Sequence, residues 1–163
     1  MRGILAAGAV LTATASVLGA TGPASAAAPT RAPFSDTYSD TIDCGTFNDD
    51  FVDYYDGTVT TWYDAAGNPT REVYHLTHLS DDVNSVTGRT IHEHGAFTEI
   101  IDYVKGTDST SGRLEIATVP GSGVVVQDAG HIVLDADGEV VLDSLNHRQS
   151  IPDDDTRYCQ ALG

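Results

Sequence analysis

The sharpest chemical feature of the sequence is His92-Glu93-His94. On a strand, residues two apart point to the same side, so these two imidazoles can share one metal ion. Two ligands fall short of the three or four that a protein metal site needs, so the sequence predicts no metal and no cofactor, with His92 and His94 kept as the alternative. Four of the six histidines, His75, His78, His92 and His94, lie in one stretch. His75 and His78 are three apart, face opposite ways on a strand and cannot form one site together. His131 and His147 have no identifiable partner. A buried Glu99 is the other candidate, as the single acid–base group of an isomerase or cyclase. Glu99 and Asp102 fall on opposite strand faces, which argues against shared acid–base work. No Gly-x-Ser-x-Gly elbow occurs, so the catalytic residues stay unknown.

The elements that must position these residues are strands. Glu72–Leu79 and Arg89–Val104 read as two long arms joined at a tight tip, Asn84-Ser85-Val86-Thr87-Gly88. A strand before them runs from Phe51 to Asp64, with Gly57 marking a bulge or bend. After them, Thr107–Gly112 reads as a turn. Strands follow at Arg113–Val119 and Val124–Asp135, then Glu139–Asp143 after the Asp137-Gly138 hairpin signal. Gly95 is expected to interrupt the second arm. Helical periodicity with caps is absent between Phe47 and Leu145. Connections are too short for βαβ crossovers, so the sheet is antiparallel. The predicted fold is all-β, an antiparallel up-and-down β-barrel closed or nearly closed by glycine-bent strands. A β-sandwich is the alternative.

Residues 1–26 read as a signal peptide: Arg2, an apolar run from Ile4 to Leu18, and the cleavage site Ala24-Ser25-Ala26. The protein is therefore expected to be secreted and extracellular, with no membrane span after signal removal. Residues 27–43, rich in Ala, Pro, Ser and Thr, read as a disordered leader. Residues 44–163 form the barrel domain. Cys44 and Cys159 are the two cysteines, and in an oxidising compartment they are expected to pair and tie the ends of the meander together. The chain has 24 acidic residues against 8 Lys and Arg, a net charge of −16. Such a surface repels phosphate backbones and excludes nucleic acid as a partner. Asp135-Ala136-Asp137-Gly138-Glu139 lacks the ligand spacing of a calcium loop and reads as a hairpin turn.

Thr60–Pro69, Asn84–Gly88 and Asp128–Gly138 together resemble a group of small secreted actinobacterial proteins of unknown function. The resemblance spans nearly the whole mature chain and implies no catalytic residue. Its architecture is similar to calycins and allene-oxide-cyclase-like barrels. The run from Gly88 through His92, His94 and Glu99 to Gly106 resembles the first cupin motif, with a shorter gap between Gly88 and His92, and the second cupin motif is missing. Three functions follow as expectations. The first is a secreted β-barrel binding a small apolar ligand or a protein partner in a cavity lined by Tyr54, Tyr55, Trp62, Tyr63, Tyr74, Phe97 and Tyr103. The second is a cupin- or cyclase-type enzyme using His92 and His94 or Glu99. The third is a structural protein with a filled core.

Overall fold

The computed structural model describes residues 28–144 and 154–163. Residues 1–26, read above as a signal peptide, lie outside the described residues, as does His147. Seven strands, β1 (Thr30–Asp43), β2 (Asn48–Tyr63), β3 (Pro69–Asn84), β4 (Thr90–Asp102), β5 (Thr107–Val119), β6 (Gly123–Leu134) and β7 (Val140–Asp143), form one antiparallel sheet in chain order. A single described helix, α1 (Asp154–Leu162), follows. No described helix is long and apolar enough to cross a membrane.

Tight turns fix the meander. Asn84 accepts the backbone N–H groups of Val86 and Thr87 on its side chain, and Gly88 N–H closes the tip on Asn84 O. Asp135 does the same for Asp137 and Glu139, so the acidic run there is a hairpin turn as expected.

Four features differ from the sequence expectation. First, the stretch read as a disordered leader is β1, paired with β2 from Thr30↔Thr61 to Asp43↔Asn48. Its small polar residues hide a strand because both faces are largely exposed and no alternation marks it. Second, Thr107–Gly112 belongs to β5, and the turn lies just before it. Third, Gly95 does not interrupt β4, which pairs with β3 without a break from Thr90 to Asp102. The irregularity is a bulge in β5 around Leu114, whose carbonyl lies 2.2 Å from where a Cβ on Gly95 would sit. Fourth, β1 and β7 do not pair, so the sheet is not closed where the glycine bends predict a closed or nearly closed barrel.

The bulge decides which side chains share a face. On the concave side lie Asp49, Phe51, Asp53, Tyr55 of β2, His78, Ser80, Asp82, Asn84 of β3, and Ile91 and Glu93 of β4. The extra residue of β5 brings Glu115 and Ala117 onto this face, while Thr110 and Gly112 share it further along. Here α1 covers the sheet. Tyr158 and Leu162, one turn apart, pack with Ile91, Ala117, Val119 and Val126, and Phe47 adds to the rim. Nine residues are too few for a stable isolated helix. Packing, the hydrogen bond from Asn84 Nδ2 to Leu162 O, and the Cys44–Cys159 disulfide (Cα–Cα 5.3 Å) hold it.

Candidate functional site

The alternation that pairs His92 with His94 puts both on the convex side. His92 lies opposite Asp81 and hydrogen-bonds it at 2.5 Å, with both side chains exposed. His94 lies opposite Leu79 on β3 and Ile116 on β5. No third ligand joins them, and among the described residues no group of three His, Cys, Asp or Glu side chains has a metal-binding arrangement. The residue between them, Glu93, points inward and is buried.

Glu93 belongs to a cluster under α1. His78 Nε2 lies 3.3 Å from Asp53 Oδ1, and its ring stacks on Tyr55 at 4.8 Å and 11°. Burial works against charge on both partners. For Asp53 the hydrogen bonds from His78 and Ser80 outweigh it and hold the carboxyl below its ordinary value. For His78 the hydrogen bond to Asp53 and the charge of Asp53, with smaller contributions from Glu115 and from Glu93 once it is ionised, raise the imidazole. Both shifts favour the charged forms, so the contact is an ion pair whenever His78 is protonated. Asp82 and Glu93 are different. Burial pushes Asp82 up to about 7, helped by the charges of Asp49, Asp53 and Glu115. Burial and the hydrogen bond with Asp82 push Glu93 up to about 9, so it holds a proton at neutral pH. Tyr158 reaches in from α1 and donates its hydroxyl to Glu115 Oε1. Burial, then the charges of Glu115 and Glu93, raise its phenol.

A protonated carboxylic acid beside a hydrogen-bonded His–Asp pair has the parts of acid–base chemistry. These parts are sealed. His78, Asp82 and Glu93 are 7%, 4% and 8% exposed, and Tyr158 of α1 closes on Glu115 and Glu93.

The other half of the concave face is not covered by α1, which packs chiefly on β2, β4 and β6. Glu72 accepts hydrogen bonds there from Thr61 (3.2 Å), Tyr74 (2.9 Å) and Tyr103 (2.8 Å). Phe34 meets Tyr74 edge to face at 5.2 Å. Phe97, Ile101, Ile132 and Leu134 share this face, each half-buried. Glu99 sits among them, opposite Tyr74 and Thr110. Burial pushes it up to about 7, with the charge of Asp108 and a hydrogen bond to it adding to the shift. Burial also raises Asp108. Asp102 lies on the opposite face, as the spacing predicts, and pairs with Lys105 at 3.3 Å.

No interior cavity lined by all the expected aromatics forms. Trp62 is on the convex side under Arg71, 5.5 Å from its guanidinium, and Tyr54 is exposed. A shallow groove of about 560 Å³ lies where the strands bend, lined by His75, Thr77, Ala96, Thr98 and Ser111 over the backbone of Gly57 and Gly112. His75 Nδ1 hydrogen-bonds Thr98 Oγ1 at 3.0 Å there.

Sequence reasoning named Glu99 as an alternative candidate and expected the disulfide, and it did not group Asp53, His78, Asp82, Glu93, Glu115 and Tyr158 as a unit. The signal for half of them was present: Tyr55, Asp53 and His78, Ser80, Asp82 alternate on two strands that the tip turn makes neighbours. Glu115 and Tyr158 carried no such signal, since a bulge and a helix bring them in. No family model, no curated protein and no solved structure matches this chain.

Proposed function

We propose that the chain is a secreted, non-catalytic binding protein whose uncovered concave half takes a small, mainly apolar ligand carrying a hydrogen-bonding group. The observation that carries this reading is the coexistence, on that half-face, of Phe34, Tyr74, Phe97, Ile101 and Leu134 with the Glu99–Asp108 pair. Apolar side chains left half-buried on a concave sheet gain by being covered, and a carboxyl pair sharing a proton can both donate and accept. The sealed state of the other cluster argues against turnover there. Export fits the disulfide and the leading apolar run.

Native mass spectrometry of protein purified from its secretion medium tests this. A retained small molecule, lost in Phe97→Ala, is expected. A bare mass, with no uptake of an apolar fluorescent probe that Phe97→Ala abolishes, overturns it.

One observation favours a second reading, acid–base catalysis of the cyclase or isomerase kind: Glu99 is raised to about 7, near the optimum for proton transfer at neutral pH. A carbon-detected NMR titration of the Glu99 carboxyl checks it. A midpoint near that of a free glutamic acid removes the reading.

A further inference from the structure

The strands sort their charges by face. Among the described residues they carry three arginines and no lysine. Arg31, Arg71 and Arg113 all lie on the convex side, opposite Thr60, Trp62 and Ala96. Lys105 is held by Asp102, also convex, and Arg89 sits in the tip turn at the far end of β3. His78, the histidine of the concave side, is buried and bonded to Asp53. The uncovered concave half therefore presents Glu72, Glu99 and Asp108 with no strand cation to balance them, in a chain that carries −16.

These three carboxyls differ in their partners. Glu72 already accepts from three hydroxyls, those of Thr61, Tyr74 and Tyr103. Glu99 and Asp108 are diagonal neighbours on β4 and β5, since Glu99 lies opposite Thr110 and Asp108 opposite Ile101. They stand in an apolar wall, with Ile132 beyond Thr110 and Leu134 beyond Asp108. Burial raises both carboxyls, and the charge of Asp108 raises Glu99 further, so the pair shares a proton near neutral pH. Asp108 Oδ1 is buried with no hydrogen-bond partner. Against such a pair a neutral ligand leaves the repulsion in place, and an anion adds to it. An ammonium group brings three N–H donors and the opposite charge.

We propose that the ligand of the uncovered half is a protonated amine on an apolar body, with its ammonium seated between Glu99 and Asp108 and its body on Phe97, Ile101 and Leu134. The assignment rests on the binding role proposed above for that half-face and adds the charge of the ligand. The ammonium keeps its N–H bonds on binding, and the proton shared by the two carboxyls passes to solvent. Affinity therefore rises with pH through the range in which the pair titrates. Glu72 and Tyr74 of β3 and Tyr103 of the β4–β5 turn are the titratable groups beside it, and β6 presents Ile132 and Leu134.

Calorimetric titration of the full chain with octylamine, octanol and octanoate tests the proposal. Octylamine is expected to bind about tenfold tighter than octanol, and octanoate not to bind. Octylamine is also expected to release protons and to gain about tenfold in affinity between about pH 6 and 8. Glu99→Gln is expected to weaken it about tenfold, while Asp81→Asn on the convex side leaves it unchanged. The pH series needs no variant, so it decides even where Glu99→Gln does not fold. Equal binding of octanol overturns the amine and leaves the apolar site standing. Binding of none of the three overturns both. Equal loss in Asp81→Asn, or no dependence on pH, means attraction to the acidic chain as a whole and overturns the proposal.

Discussion

Glu93 carries the clearest consequence of a single residue's surroundings. An unfolded glutamic acid titrates near 4.5, and burial with Asp82 beside it moves Glu93 up to about 9 in the folded chain. The folded state therefore binds more protons than the unfolded state between these values. Stability falls as pH rises through that window, and it is fully recovered only below the unfolded value. Asp82, raised to about 7, acts in the same direction. His78 does too, since the stability from its raised basicity is lost as pH rises through its folded value. Asp53 is opposite: its carboxyl is depressed, so its contribution is lost in strong acid. Thermal melts are expected to peak near pH 5 and to drop by several degrees by about pH 9. Glu93→Gln, which keeps shape and hydrogen-bonding atoms without the charge, is expected to flatten the alkaline limb. An unchanged limb would mean that Glu93 does not hold its proton.

At the scale of elements, the strands are bent by close backbone approach. A Cβ on Gly57 would lie 1.9 Å from the carbonyl oxygen of His75 on the facing strand. No side-chain rotation relieves a contact with backbone. Gly57→Ala is expected to destabilise the protein by about 1–3 kcal/mol or more, read from a urea midpoint, and to loosen the β2–β3 ladder first in hydrogen exchange. The glycine was visible in the sequence as a bend. The bulge at Leu114 was not, because an extra residue in β5 is defined only by what the neighbouring strands do with it. That bulge turns Glu115 inward and so completes the cluster.

At the scale of the molecule, one covalent link joins the first turn of the meander to the last helix. Cys44 and Cys159 are 115 residues apart, and they hold α1 over the acidic cluster. Without the link, the packing of Tyr158, Ala161 and Leu162 and the Asn84–Leu162 hydrogen bond are among the contacts left to place the helix. Cys44→Ser/Cys159→Ser is expected to cost about 2–5 kcal/mol. It is also expected to expose the amides of α1 to fast exchange while β2–β4 stay protected, since the ladder does not pass through α1. Uniform loss of protection would instead mean that helix and sheet unfold as one unit.

Alternation along Leu76–Asn84 and Thr90–Gly95, punctuated by turn residues, determined that this chain is an antiparallel meander and which histidines face together, because strand geometry has a period of two that no distant residue alters. The two cysteines determined that its ends meet. Only the tertiary structure decided that Thr30–Asp43 is a strand, that the sheet stays open, that α1 forms, and that six carboxyl, imidazole and phenol groups gather in one buried to half-buried cluster. Those outcomes depend on which surfaces find a partner across the fold, and contacts between residues far apart in the chain leave no local pattern to read.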